Sequence, residues 1–382
     1  MVERWNAVAD RGNIEMHAWF NVIRESDRSW DVDESSWRFK GEYLRMHRVL
    51  GVELYLPPPS NENHKFDLIV QEYASPSMLL GYLVSRGISD RVAFRALPTY
   101  DAWIKRRRHK ELLKHLLFMS VDAAKTGGPT GQTMFSKYGL PTEKIHPVTQ
   151  SIDYRHFSHS TEVEKGERAA LRASLGLKGC VFVYVGRLWK KKGLDDLFDA
   201  YRMLVNDAQV DTSLLLIGDG IDEAHFRLRA KELRDVVFAG FVQRADLPRM
   251  LSAADVLVFP TLGDPHGLVV EESMAAGLPV ICTDAAGDIE RRLPNGEAGF
   301  IVPTRDPATL ATRMTTLQAD PELRIRMGRR ANEIARMSDH QEYARTFENF
   351  VDATLSSPPN RHPLGKFSRV AGLGINAIRS RL

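Results

Sequence analysis

The stretch VFVYVGRLWKKKGLDDLFDAYRMLVND, residues 181–207, decides how the second half of the chain folds. An apolar run rich in β-branched residues ends at a glycine, a basic segment follows, and a pattern with helical spacing completes the stretch. A strand with so few polar positions is covered on both faces, which is typical of a parallel sheet flanked by helices. The stretch therefore predicts a strand, a loop and a helix of an α/β domain.

The same alternation continues along the chain. Further apolar runs are SLLLIG, VVFAGF, ADVLVFP, PVICT and GFIVP, with helical stretches through HFRLRAKEL and from near Gly267. Ligands of such sheets bind in the crevice beyond the carboxyl ends of the strands. We therefore predict a Rossmann-like domain over residues 168–345, with its binding loops on one edge of the sheet.

The first half, residues 1–167, alternates less regularly. Five runs predict strands and a second Rossmann-like domain: IEMHAWF, DLIVQEY, RVAFRALP, VDAAKTG and IHPVTQ. The chain opens on a predicted helix, VERWNAVADRG, where such domains usually begin with a strand, so either that strand is missing or another segment fills its place. We expect an upstream start; a chain extended at its amino end that was neither more stable nor more active would count against it.

Composition limits the class of protein. The chain has 382 residues, which favours two domains. Its 43% hydrophobic and 26% charged residues are typical of a soluble globular enzyme or binding protein. A net charge of +3 is too small for nucleic acid to be the main partner. No apolar run reaches the roughly 20 residues of a membrane span and no secretory signal opens the chain, so we expect a cytoplasmic protein.

Cys180 and Cys282 each lie in a short apolar run. We expect buried strand thiols, because nothing in their spacing resembles a disulfide framework or a cluster of metal ligands.

Two cations lie in the loop after the first of these strands, close to the start of the following helix. Arg187 follows the strand end at Gly186, and Lys192 stands just before the helix. Cations are unfavourable at a helix start, but an anionic ligand shared with the helix amides reverses that effect. The alternative is a solvated Trp-Lys-Lys-Lys loop, which is what we expect of Lys190 and Lys191.

Two carboxylates flank a later helix start. In GDPHGLVVEESMAAGLPV, residues 263–280, Asp264 and Glu272 are eight positions apart. Gly218-Asp219-Gly220 and Gly240 follow other strands and permit tight turns. Glycines, two cations and two carboxylates on one edge suit a ligand with a pyrophosphate and hydroxylated rings, since cations meet phosphate oxygens and carboxylates accept from hydroxyls.

In this order the motifs resemble the retaining glycosyltransferases of the GT-B fold, family 4 or group 1. The motifs that carry the resemblance are Gly186-Arg187, Lys192-Gly193, Gly218-Asp219-Gly220, Gly240-Phe241, Ala254-Asp255-Val256 and ESMAAGLPV at 272–280. The resemblance implies an α/β fold with two Rossmann-like domains facing each other across a cleft. It also implies retaining transfer of a sugar from a nucleoside diphosphate donor to a hydroxyl acceptor, a glycan or a lipid-linked one.

The resemblance also implies roles for single residues. Arg187 and Lys192 would neutralise the diphosphate, Glu272 would bind the ribose hydroxyls, and Asp264 would be the first acidic position of an E-x7-E motif, near the donor sugar. In the family the first acidic position is usually Glu, and an aromatic residue is common where His266 stands. Both differences from the family affect the expected contacts with the donor sugar.

The catalytic set that the resemblance implies is Arg187, Lys192 and Asp264. The donor-binding set is Gly186, Gly218, Gly220, Phe241, Val242, His266, Gly267, Leu268, Val269 and Glu272, with Phe241 and Val242 beside the base and the amides after His266 facing sugar or phosphate.

A departing nucleoside diphosphate gains negative charge, which the protein must stabilise. No Asp-x-Asp cluster lies near the cationic loop, whereas two cations and helix amides do. We therefore predict metal-independent transfer, with no metal ligands and no cofactor beyond the nucleotide-sugar substrate. The resemblance implies that the leaving phosphate itself takes the acceptor's proton.

The acceptor half is harder to interpret. The stretch RALPTYDAW offers Thr99, Tyr100 and Asp101, of which Asp101 either orients an acceptor hydroxyl or, as we favour, caps the following helix. TGGPTG, residues 126–131, lacks the Gly-Lys-Ser/Thr of a phosphate-binding loop and predicts a turn into a helix, or else lines the cleft.

Two basic segments leave alternatives open. The predicted helix over Trp103–Phe118 carries six cations against Glu111, and it is either a solvated face or a surface for an anionic membrane at the inner membrane face. Residues 346–382 hold a final helix and a basic tail, which is either disordered or packs on the domains or a membrane. Two other functions keep the same fold: a nucleotide-sugar 2-epimerase, and a non-catalytic nucleotide-sugar-binding scaffold. A phosphorylase is disfavoured because no cofactor lysine site is found.

Overall fold

The computed structural model describes residues 2–20, 33–49, 52–56, 65–72, 78–96, 108–207 and 209–360. The described residues form two compact units. The first contains those up to Thr149 and those from His340 onward, and the second contains Gln150 to Asp339. The boundaries therefore differ from the domains 1–167, 168–345 and 346–382 expected from the sequence, and packing explains both shifts. Phe157 is buried in the second unit's core, whereas the final helix packs in the first.

The strands described in the first unit are β1 (His17–Phe20), β2 (Lys40–Tyr43), β3 (Arg45–Val49), β4 (Val52–Leu56), β5 (Phe66–Glu72), β6 (Ser89–Ala96), β7 (Ala123–Thr126) and β8 (Ile145–Pro147). The helices described before residue 150 are α1 (Val2–Asp10), α2 (Met78–Ile88), α3 (Arg108–Ser120) and α4 (Pro129–Lys137). All five strands predicted in this half are confirmed, as is the opening helix. Strands β5, β6, β7 and β8 form a parallel sheet in that order, while β1 pairs with β2, and β3 with β4. The strands β2, β3 and β4 were not predicted.

The TGGPTG segment makes the predicted turn into a helix. Thr126 ends β7, Gly128 is the residue before α4, and Pro129 is its first residue. Proline is suited to the first position of a helix, because an N–H there would have no acceptor within the helix.

The strands of the second unit are β9 (Cys180–Val185), β10 (Thr212–Ile217), β11 (Val236–Gly240), β12 (Val256–Phe259), β13 (Val280–Thr283) and β14 (Gly299–Val302). Its helices are α5 (Tyr154–Ser158), α6 (Lys165–Leu175), α7 (Leu194–Val205), α8 (Glu223–Ala230), α9 (Leu247–Ser252), α10 (Val269–Ala275), α11 (Ile289–Arg292), α12 (Pro307–Ala319) and α13 (Pro321–Ala335). The last described helix, α14 (His340–Ser356), belongs to the first unit.

The second unit's sheet has the order β11-β10-β9-β12-β13-β14, and every pairing is parallel. This is the doubly wound arrangement, and the predicted strands and the α/β class are confirmed. The strand order reverses between β9 and β12, where ligands of such sheets bind. Two separate clusters of buried apolar side chains cover the two faces of the sheet, which holds the loops beyond its carboxyl edge on a rigid base.

Cys180 and Cys282 are free and buried on β9 and β13, as predicted. Burial raises the pKa of the Cys180 thiol to about 12, so it stays protonated and inert at neutral pH. Among the described helices, none is long and apolar enough to cross a membrane.

Candidate functional site

The predicted site loops all follow strands of the second unit's sheet at its carboxyl edge. Gly186 and Arg187 come directly after β9, Gly218 comes after β10, Gly240 ends β11, and Asp264 lies in the loop after β12. These strands are parallel, so their carboxyl ends share one edge. Four segments distant in sequence are therefore brought to one edge of the sheet, and those after β9 and β12 lie where the strand order reverses.

Close backbone approach at this edge requires glycine. A Cβ on Gly218 would lie 2.0 Å from the Gly186 carbonyl oxygen, and one on Gly193 would lie 1.8 Å from that of Pro260. Real Cβ atoms do not come so near to a carbonyl oxygen. Gly193, at φ 71°, adds a left-handed conformation that glycine adopts without strain. The loops after β9, β10 and β12 thus touch through their main chains.

Arg187 stands on a segment held from both sides. Its carbonyl oxygen accepts a hydrogen bond of 2.8 Å from the Tyr184 hydroxyl. The next residue, Leu188, donates its N–H to the Asp219 carbonyl oxygen at 2.7 Å, and Asp222 donates its N–H to the Leu188 carbonyl oxygen at 3.1 Å. This backbone is fixed before any ligand binds, which reduces the ordering needed on binding.

The two lysines predicted to be solvated are exposed in the structure. The ammonium of Lys191 lies 4.6 Å from the ring centroid of Trp189, and the amide of Lys190 donates to Asp222 Oδ2 at 2.8 Å. Neither side chain is directed to a described anionic partner.

Lys192 and Asp264 are brought together although they lie 72 positions apart. Lys192 Nζ donates to Asp264 Oδ2 at 2.6 Å, and the two side chains are only 21% and 14% exposed. The sequence predicts that Lys192 contacts a phosphate and that Asp264 contacts a sugar hydroxyl. It does not predict the contact between the two side chains. The pair fixes one charged group of each sign at the junction of the loops after β9 and β12.

A second set of contacts holds Asp264 and the loop that follows it. Asp264 Oδ1 accepts from the His266 amide at 3.0 Å, and the Asp264 carbonyl oxygen accepts from the Gly287 amide at 2.8 Å. The carboxylate thus organises its own turn while it holds Lys192.

Behind this turn lies a buried ionic group that the sequence analysis missed. Glu271, 3% exposed, lies on α10, and its Oε1 is 2.6 Å from Arg292 Nη1 and 3.1 Å from His266 Nε2. Arg292 also donates through Nη2 to the carbonyl oxygens of His266 and Gly287. His266, itself 8% exposed, is therefore held by side chain and main chain alike.

The charges of this group depend on one another. Burial alone would raise the pKa of Glu271, but the adjacent Arg292 and His266 lower it to about 2. The carboxylate is therefore ionised at neutral pH. One signal was present in the sequence: an acidic residue at an otherwise apolar position of the helix, which requires a buried partner.

Other predicted donor-binding residues lie on or near α10 and β11. Glu272 lies in the first turn of α10 and is partly buried, and Phe241 is partly buried just after β11. Val242 and Val269 pack against the core, whereas Leu268 is 37% exposed.

Several other predicted features stay untested. Thr99, Tyr100 and Asp101, the first part of the basic helix and the tail beyond Asn360 lie outside the described residues. Where the structure is described, no group of three or more His, Cys, Asp or Glu side chains is arranged to hold a metal ion.

A match to a known protein family lies within the second unit. The family "Glycosyl transferases group 1" matches residues 179–320, which include the predicted site residues from Gly186 to Glu272. The chain is similar to an alpha-D-kanosaminyltransferase of Streptomyces kanamyceticus, 29% identical over 52% of this chain and 51% of that one. It is also 31% identical to a D-inositol 3-phosphate glycosyltransferase of Jonesia denitrificans, over 53% of this chain and 50% of the other. The chain thus spans about half the length of these relatives.

Solved structures resemble this chain in fold over most of its length. A HepE protein of Anabaena in complex with UDP superposes with a TM-score of 0.68 at 19% identity, over 83% of this chain and 87% of that one. A sucrose-phosphate synthase of Thermosynechococcus elongatus superposes with a TM-score of 0.70 at 18% identity, over 92% and 91%. The fold is therefore that of GT-B glycosyltransferases.

Proposed function

Because the chain belongs to the group 1 glycosyltransferases through residues 179–320, we propose that it transfers a sugar from a nucleoside diphosphate donor to a hydroxyl acceptor, with retention. One observation carries the proposal. Arg187 and the Lys192–Asp264 pair lie on loops at the carboxyl edge of a doubly wound sheet, around the point where its strand order reverses. Glu272 lies in the first turn of α10, the helix that follows the Asp264 loop. This edge of the sheet is where the fold binds nucleotides.

The cations suit the leaving group. A nucleoside diphosphate departs with growing negative charge, and groups held in place beforehand stabilise that charge without reorganising. Arg187 rests on a fixed backbone, and Lys192 is fixed by Asp264 at 2.6 Å. We infer that these two cations supply the stabilisation and that transfer needs no divalent metal.

Asp264 and His266 suit contacts with the donor sugar. Asp264 holds Lys192 through Oδ2 and the His266 amide through Oδ1, so its position depends on both neighbours. We propose that these two residues set which donor sugar fits, and that the diphosphate approaches Lys192 while Asp264 keeps the ammonium in place. UDP-sugars are the donors to test first, since the HepE structure holds UDP.

Glu272→Gln tests the nucleotide site. A carboxylate that accepts from ribose hydroxyls contributes about 1.5–3 kcal/mol per hydrogen bond, so the amide should weaken UDP binding by roughly tenfold to a hundredfold. Calorimetric titration of UDP into both proteins measures this. Glu290→Gln, an exposed residue of α11, is the matched control and should bind like the wild type. Equal affinity in Glu272→Gln would remove the ribose assignment.

The acceptor is proposed to be a glycan or a lipid-linked hydroxyl compound. A lipid-linked acceptor would be reached from a membrane surface, and the basic stretch from Lys105 to Lys114 is the segment suited to anionic lipid. Co-sedimentation with liposomes should then rise with the fraction of anionic lipid. Binding that is indifferent to lipid charge would remove the membrane hypothesis and leave a solvated helix face.

Two other functions of the same site predict different products. A nucleotide-sugar 2-epimerase would convert the donor to its 2-epimer, whereas a transferase places the sugar on the acceptor. A non-catalytic scaffold would bind nucleotide and release nothing. Chromatography of the nucleotide and sugar products, with and without candidate acceptors, separates the three.

A further inference from the structure

The loop after β13 lies against the turn that carries Asp264. The Asp264 amide donates to the Ala285 carbonyl oxygen at 3.2 Å, and the Gly287 amide donates to the Asp264 carbonyl oxygen at 2.8 Å. Asp264 and Ala286 also form a parallel β-bridge. The turn at residues 264–267 and the loop at residues 285–287 are therefore joined through their main chains.

Arg292, the last residue of α11, binds both of these segments through one nitrogen. Its Nη2 donates to the His266 carbonyl oxygen and, at 3.0 Å, to the Gly287 carbonyl oxygen. Its Nη1 donates to Oε1 of Glu271 on α10 at 2.6 Å. A guanidinium presents its N–H groups in a rigid plane, so these three contacts fix one arrangement of the turn, the loop and the helix.

Stability alone does not account for this buried ion pair. The side chains of Glu271 and Arg292 are 4% and 13% exposed. Within the described part of the chain, Glu271 Oε2 and Arg292 Nε are buried and have no hydrogen-bond partner. Well-packed apolar residues are often as stabilising as a buried ion pair, and each unpaired polar atom destabilises the fold further. What the ion pair adds is direction, because the guanidinium donates to two specific carbonyl oxygens.

Three hydrogen bonds in series connect Arg292 to the ammonium of Lys192. Arg292 Nη2 donates to the carbonyl oxygen of His266, and the amide of His266 donates to Asp264 Oδ1 at 3.0 Å. Asp264 Oδ2 then accepts from Lys192 Nζ at 2.6 Å. Because both oxygens of Asp264 are bound, a shift of the His266 main chain moves the carboxylate and the ammonium with it.

We propose that Arg292 is a positioning residue for sugar transfer, which keeps Lys192 in place through the His266 main chain and Asp264. The link to transfer rests on the proposed function, in which Lys192 meets the diphosphate of the donor; the hold on Lys192 itself does not. Groups that stabilise a developing charge must be in place beforehand, and a misplacement of about 1 Å can lower a rate by roughly a hundredfold. The role of Arg292 is indirect, since it acts on the rate through Asp264.

Arg292→Ala should lower kcat by roughly tenfold to a hundredfold and change the Kd of UDP by less than about threefold, because the nucleotide keeps its other contacts. Steady-state kinetics and calorimetric titration measure the two constants. Arg291→Ala, exposed on the same helix, is the matched control and should retain wild-type values. In an Asp264→Asn background, Arg292→Ala should lower kcat little further, because the route through Asp264 is already broken.

Acylation of lysines with acetic anhydride, followed by mass spectrometry, tests the hold on Lys192 without any donor. Lys192 should react roughly three to ten times faster in Asp264→Asn and in Arg292→Ala than in the wild type, because the hydrogen bond to its ammonium is lost or loosened. Lys190, exposed on the same loop, is the internal reference and should react at the same rate in all of these proteins. A wild type that turns over no donor would contradict the proposed function, and the acylation rates would still decide whether Arg292 holds Lys192.

The double variant Glu271→Leu/Arg292→Leu separates positioning from stability, and it replaces Arg292→Ala if that variant does not fold. It removes both buried charges, so its free energy of unfolding should lie closer to the wild type than that of Arg292→Ala. The hydrogen bonds to the two carbonyl oxygens remain lost. Acylation of Lys192 should therefore stay raised, and kcat should stay lowered, although stability is largely regained.

Three results would overturn the proposal. The first is a wild-type rate of Lys192 acylation in folded Arg292→Ala or in the double variant. The second is raised acylation together with wild-type kcat, which would remove the role in transfer. The third is a loss of kcat from Arg292→Ala that is equally large with and without Asp264→Asn, which would show that Arg292 does not act through Asp264.

Discussion

Replacing Arg187 with alanine is expected to lower kcat for sugar transfer by a factor of roughly 10² to 10³, with a much smaller change in KM. The reason is where the charge is needed. The diphosphate gains negative charge as the glycosidic bond breaks, so a cation beside it stabilises the transition state more than the bound donor. Steady-state kinetics with the donor that is turned over, at saturating acceptor, measures both constants.

Lys190→Ala is the matched control for this variant. Lys190 lies three residues further along the same loop and is exposed, and its backbone rather than its side chain binds Asp222. We expect it to retain wild-type turnover. A kcat for Arg187→Ala within a factor of two of the wild type would show that Arg187 does not stabilise the leaving group.

Replacing Glu271 with leucine is expected to lower the free energy of unfolding by roughly 3–5 kcal/mol, because it leaves the buried Arg292 without its carboxylate. Both side chains are largely buried, at 4% and 13% exposure, and their atoms are 2.6 Å apart. Urea unfolding at neutral pH measures the loss. The double variant Glu271→Leu/Arg292→Leu should lose less than the sum of the two single variants, since it removes both charges.

The pH dependence of unfolding provides a second measure of the same group. The pKa of Glu271 is about 2 in the folded protein against an ordinary value of 4.5, so the carboxylate stabilises the fold above pH 4.5. This contribution should be lost progressively as the pH falls from about 4.5 towards 2. Glu271→Leu should lack that part of the acid dependence. An unchanged acid dependence, or an unfolding free energy within about 0.5 kcal/mol of the wild type, would contradict the ionic role of Glu271.

The second unit was predictable because its signals are local. The strands from β9 to β14 are mainly apolar, as is typical of parallel strands covered on both faces. Once the strands are parallel, their carboxyl ends must share an edge, so the loops of Arg187 and Asp264 were expected near each other. The family resemblance added the roles of single residues, which no periodicity contains.

What escaped prediction depends on contacts between distant residues. The Lys192–Asp264 pair joins loops 72 positions apart, and the Glu271–Arg292 pair lies behind the same turn. The acidic character of Glu271 was visible, but its partner was not. The return of α14 to the first unit depends on its packing with α1, more than 300 positions earlier. Amphipathic patterns show that a face is buried without showing what covers it.

The central claim is that the edge of the second unit's sheet binds and activates a nucleotide-sugar without metal. The most direct measurement mixes the protein with UDP-, GDP-, ADP- and dTDP-sugars in EDTA, together with a pool of hydroxyl acceptors, and follows release of free nucleotide. We predict turnover of one donor, unaffected by EDTA and reduced to near background in Arg187→Ala. Nucleotide release that requires an added divalent metal, or that is equal in the wild type and Arg187→Ala, would contradict the account.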